Sequence, residues 1–84
     1  MNIYRIWQNK NTDYDSYDSA VVAAPDINVA RSMHPSGRKF NWDAPDLYDG
    51  TWVTKVEHVG AELIGKADAR FNEPTVICAS FNAG

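Results

Sequence analysis

The sequence predicts an α+β domain: a small antiparallel sheet in β-β-α-β-β order with one short helix packed on one face. Three observations carry this expectation. Ile3 to Trp7 and Tyr17 to Ala24 are β-rich runs joined by a polar, turn-forming segment. Pro25-Asp26 opens a helix that His34-Pro35-Ser36-Gly37 stops. Thr75 to Phe81 is the strongest β run of the chain, and Val59 to Gly65 offers a weaker partner for it.

In the first strand, period-two alternation puts Tyr4, Ile6 and Gln8 on one face and Ile3, Arg5 and Trp7 on the other. Tyr4 and Ile6 are the expected core side. Asn9 to Ser16 supplies Asn, Asp and Ser residues suited to a loop, so the first two strands form an antiparallel hairpin. Asp26 suits a helix N-cap, because its carboxylate accepts from exposed N–H groups of the first turn. The helix spans about Ile27 to His34, too short to be stable alone. It should lay Ile27, Ala30 and Met33 on the sheet and leave Asn28, Arg31 and Ser32 to water. Pro35 cannot continue it, and Gly37 lets the chain turn away.

Pro35 to Thr51 is irregular, with Phe40, Trp42, Leu47 and Tyr48 set among aspartates. Irregular segments of this length often carry function. Val59, Ala61 and Leu63 alternate as in a strand, which Gly60 weakens, while Lys55 to His58 suits a helical turn. The last two strands are expected as a C-terminal pair. Cys78, the single cysteine, lies in the apolar run Thr75 to Ala79 and reads as a buried, inert thiol.

The 84 residues make one domain, 1–84. A chain of this size buries roughly 60–65% of its unfolded surface, so its core is thin and its sites are shallow or shared between chains. The formal charge of −3 and scattered basic residues disfavour nucleic acid as a partner. Met1 to Trp7 lacks the pattern of a secretory signal, and no run approaches the ~20 apolar residues of a membrane span. With one cysteine and no disulfide framework, a cytoplasmic setting is expected.

Several constellations suggest chemistry. Asp13, Asp15 and Asp18 resemble the start of a calcium loop, but Asp18 and Ala24 stand where glycine and glutamate belong, so turn formation is the better reading. His34 and His58 are the only histidines, too few soft ligands beside one cysteine for structural zinc. His34 is expected to cap the helix C-terminus, and His58 to lie at the surface. Ser36, His34 and Asp43 make a triad only on paper, without the backbone context of a nucleophile elbow. Ser36, Arg38 and Lys39 are adjacent to flexible amides and form a candidate anion site. Trp42 and Trp52 either lid the open sheet face or belong to a partner surface.

The segments Tyr14-Asp15-Ser16-Tyr17-Asp18-Ser19-Ala20-Val21-Val22-Ala23-Ala24, Ala30-Arg31, His34-Pro35-Ser36-Gly37, Leu63-Ile64-Gly65-Lys66-Ala67 and Ala79-Ser80-Phe81-Asn82-Ala83-Gly84 together resemble a family of short, largely uncharacterised bacteriophage and prophage proteins. The resemblance spans most of the chain except the middle loop, and the sequence departs from the family pattern by being longer around Trp52 to His58, where the start of the third strand is left open. It implies a phage-type accessory protein and brings no catalytic residues with it.

The combined expectation is a non-catalytic, cofactor-free protein in the host cytoplasm. It binds a host protein and modulates or inhibits a host enzyme or defence system. The expected partner surface joins Tyr14, Asp15, Trp42, Asp46 and Tyr48. The competing reading is a nucleotide or phosphate sequestering protein using Ser36, Arg38 and Lys39. A free edge strand near Ile3 or Phe81 leaves room for a homodimer.

Overall fold

The computed structural model describes residues 1–12, 14–37, 42 and 50–82. Along the chain run β1 (Asn2–Trp7), β2 (Ser16–Ala24), α1 (Ile27–Arg31), a 3₁₀ turn (Val56–His58), β3 (Gly60–Lys66) and β4 (Thr75–Asn82). The four strands form one antiparallel sheet in the order β3-β1-β2-β4. Helix α1 packs over β1, β2 and β3.

β1 and β2 pair as a hairpin, from Asn2 opposite Ala24 to Trp7 opposite Ser19. The last two strands do not pair with each other, contrary to the sequence expectation: β3 pairs with β1 and β4 with β2. Burial explains the arrangement. β1 and β2 each present a fully apolar stripe, Tyr4 and Ile6 on one and Ala20, Val22 and Ala24 on the other, and all five are buried. Strands with such stripes gain most from the middle of the sheet, where α1 covers them. β3 and β4 contain no buried residue and take the edges.

The core joins those five side chains to Ala30, Trp52, Val53 and Val59. Ala20, Ala24 and Ala30 are small, which lets the helix axis approach the sheet closely. Trp52 is the largest side chain of this cluster, and its indole N–H is buried without a hydrogen-bond partner among the described residues. Trp52 thus covers the sheet from the helix side. Trp42 packs partly buried against the same cluster.

Asp26 caps α1 as the sequence indicates, its Oδ1 accepting from Val29 N at 2.9 Å. The helix is shorter than expected, ending at Arg31 with Ser32 as C-cap. Ile27 is 42% exposed instead of lying on the sheet. Arg31 does not face open water: its Nε donates to Val59 O at 3.0 Å and its Nη2 to Val56 O at 3.1 Å. Val56 opens the 3₁₀ turn, its carbonyl also accepting from Val59 N–H, and Val59 follows the turn, so the guanidinium pins the turn to the helix.

Two local features set the ends of the sheet. Gln8 is buried after β1, and its Oε1 accepts from Lys10 N and Asn11 N while Nε2 donates to Asn11 O and Tyr17 O. One side chain thereby holds the loop between β1 and β2. Asn11 extends the tie, donating from Nδ2 to Gly50 O and Trp52 O. At the start of β3, Gly60 lies against the Trp7 indole, where any Cβ would overlap the ring. The glycine that weakens the strand pattern is therefore required by its cross-strand neighbour, opposite which it sits.

Cys78 is exposed, correcting the buried reading. The apolar run around it resembles a strand covered on both faces, yet β4 is an edge of a sheet that the helix covers on one side only. No helix among the described residues is long and apolar enough to cross a membrane.

Candidate functional site

Two surfaces collect the chemistry-bearing residues. The first lies where β2 begins and β4 ends. Tyr14 is 75% exposed in the loop before β2. Asp15 follows with φ 61°, a left-handed conformation that aspartate tolerates better than most residues, and its N–H donates to Asn82 O at 2.6 Å. That hydrogen bond fastens the loop to the end of β4. Phe81, 45% exposed, leans on Tyr17 with ring centroids 4.8 Å apart, and the two residues are direct cross-strand partners. The Tyr17–Phe81 pair, with Tyr17 partly buried against the core, and the exposed Tyr14 next to the fixed Asp15 make up an aromatic ledge at the joined start of β2 and end of β4.

Of the five residues expected at a partner surface, Tyr14 and Asp15 stand together on this ledge. Trp42 is placed elsewhere: its Nε1 donates to Ser32 O at 3.0 Å at the end of α1, and its ring packs on the core. Asp46 and Tyr48 lie outside the described residues. Phe81 and Tyr17 were not among the expected site residues. Phe81 was visible as the aromatic end of the strongest β run and Tyr17 as the start of the second strand, but only the pairing of β4 with β2 brings the two together.

The second surface is a cleft of about 740 Å³ between the segment after α1 and the start of β4, lined by Val29, Met33, His34, Ser36, Pro74 and Val76 among others. His34 does not cap the helix. It lies two residues beyond the C-cap, is 1% exposed, and meets Tyr17 edge-on with centroids 6.0 Å apart. The Ser36 backbone N–H donates to His34 Nδ1 at 3.1 Å, which makes Nδ1 an acceptor, and Ser36 Oγ lies 2.8 Å from the same atom. The proton of the neutral ring is then on Nε2, which faces Thr51 Oγ1 at 3.4 Å. Gly37 closes the turn, donating to His34 O at 2.9 Å with φ 84°. Pro35 and Gly37 occupy the second and fourth positions of this turn, where those residue types are favoured.

The Ser36–His34 distance alone suits a nucleophile and its base. Here, however, hydroxyl and backbone N–H of one residue converge on one ring nitrogen two residues away, so the contact organises a turn. Asp43, the third member of the paper triad, lies outside the described residues. Of the candidate anion site, Ser36 is exposed on the cleft rim, whereas Arg38 and Lys39 lie outside the described residues. Asp13 is likewise outside them, and among the described residues no three His, Cys, Asp or Glu side chains converge on a metal position. His58 is exposed, as expected from the sequence.

No family model, curated protein or solved structure matches the chain.

Proposed function

We propose that this chain is a non-catalytic binding module, a phage-type accessory protein that engages a host protein in the host cytoplasm and modulates or inhibits a host enzyme or defence system. The phage and host parts of this reading rest on the sequence resemblance. The observation that carries the binding part is the aromatic ledge, with Tyr14 at 75% and Phe81 at 45% exposure on a rigid sheet end. Aromatic side chains held in place contribute large contact area at small entropic cost, the usual anchors of protein interfaces. Asp15, fixed by its backbone bond to Asn82, adds a directional charge beside them. The test is capture of partners on the tagged protein, with Tyr14→Ala and Phe81→Ala as comparisons. Loss of a stoichiometric partner with retained fold supports the ledge; unchanged capture by both variants removes it.

A second reading is favoured by the cleft. Its volume suits a nucleotide, and Ser36 at its rim would contact phosphate together with Arg38 and Lys39. Thermal unfolding with and without millimolar ATP or inorganic phosphate separates the two readings, because a ligand that binds only the native state raises its stability by mass action. The module reading predicts no shift. A shift abolished by Arg38→Ala replaces it with sequestration.

A further inference from the structure

We propose that β4 is a self-association edge, at which a second copy of this chain adds antiparallel across a two-fold axis to join two four-stranded sheets into one of eight. β4 is the end of the order β3-β1-β2-β4, so one side of it faces no strand among the described residues. Among the described residues, its hydrogen-bonded neighbour is β2, with Asp15 adding a bond to Asn82 O on that same side. The main-chain N–H and C=O groups of the far side are a template that an extended strand satisfies.

Charge points to a second copy as the occupant. Thr75-Val76-Ile77-Cys78-Ala79-Ser80-Phe81-Asn82 holds no charged residue and no proline, in a chain that is 23% charged with formal net charge −3. The net charge of −3 sets two copies against each other electrostatically. The β4 edge is where they meet without placing like charges opposite one another. The other edge is guarded: β3 carries Glu62 and Lys66, the kind of charge that discourages strand addition. An antiparallel two-fold also makes a strand its own complement, so no second sequence is needed.

The register has a natural centre. The β2–β4 pairing is irregular between Val21 and Val22, where Ile77 is the extra residue on β4. Cys78 to Asn82 is the stretch of β4 beyond that bulge; the second irregularity of the pairing, between Tyr17 and Ser19, puts its extra residue Asp18 on β2, so β4 itself carries no extra residue here and its middle is Ser80. A two-fold there sets Ser80 against its own copy and Ala79 against Phe81 of the second chain. The two aromatic ledges then lie side by side at the seam. The ledge itself does not depend on this association, so the dimer can fail while partner capture through Tyr14 persists.

The test combines sedimentation equilibrium with amide hydrogen exchange at low and high protein concentration. The expected result is a species of twice the 9.4 kDa chain mass, with β4 amides gaining protection as concentration rises and β3 amides unchanged. Ser80→Lys places like charges face to face and should weaken association by about tenfold or more, whereas Leu63→Lys on the β3 edge should leave it intact. Circular dichroism confirms that each variant folds. A monomer at every concentration up to about 1 mM overturns the proposal, as does a dimer whose protection gain falls on β3 instead of β4.

Discussion

Gln8 shows how much structure one side chain can organise. It satisfies Lys10 N, Asn11 N, Asn11 O and Tyr17 O within 2.8 Å, all from a buried position. Gln8→Ala would leave those backbone groups without their partner in a site that water reaches poorly. The expected loss is about 2–3 kcal/mol, a fall in melting temperature of about 10–20 °C for a domain of this size. Denaturant and thermal unfolding read this directly. Gly60 and Trp7 form a second residue-scale lock. Gly60→Ala forces a methyl into the indole and should destabilise by about 1–3 kcal/mol. Trp7→Leu in the same chain should recover part of that loss, and a double-mutant cycle measures the coupling. Neither lock was legible in the sequence, where Gln8 was only a member of the Tyr4 and Ile6 face and Gly60 only a weak point. Both depend on which backbone lies across the sheet, and periodicity does not carry that information.

At the scale of elements, the central hairpin was legible because β1 writes its buried face as a period-two pattern, Tyr4, Ile6 and Gln8 all being buried as the alternation indicated, and β2 is an unbroken β run. The start of α1 was legible through Pro25-Asp26. Its end was not, because five residues of helix are closed by backbone bonds from Ser32 and Met33 before the Pro35 stop is reached. His34 was consequently misplaced at a helix terminus when it belongs to the turn that follows. Asp26→Ala should cost about 1 kcal/mol, and it should speed amide exchange at Val29, whose N–H it caps. Exchange at the Tyr4–Val22 region of the hairpin should slow or quicken only with global stability, since those amides sit in the sheet centre.

At the scale of the molecule, the fold is a single sheet with one helix on one side, and its Cα radius of gyration of 12.2 Å is close to the roughly 12 Å expected for a compact domain of this length. Leu63, Ile64, Ile77 and Phe81 are exposed on the two edge strands, which the thin core touches only through Ala61 and Val76. The order of strands was not legible, and with it went the exposure of Cys78 and Phe81. An apolar run reads the same whether it fills the middle of a covered sheet or borders an open one. Two of the five residues of the expected partner surface, Tyr14 and Asp15, stand at the end of β4, where Asp15 N–H bonds Asn82 O, while Trp42 is committed to the helix end and the core.

The central claim is that the ledge of Tyr14, Tyr17 and Phe81 is a binding surface. The most direct measurement is quantitative affinity capture from bacterial lysate by the tagged protein and by the combined Tyr14→Ala, Phe81→Ala variant, with mass spectrometry of retained proteins and of small molecules released on denaturation. The account predicts one dominant stoichiometric protein on the unmodified chain, lost from a variant that still folds. Equal capture by both proteins, or a released nucleotide with no protein partner, would contradict it.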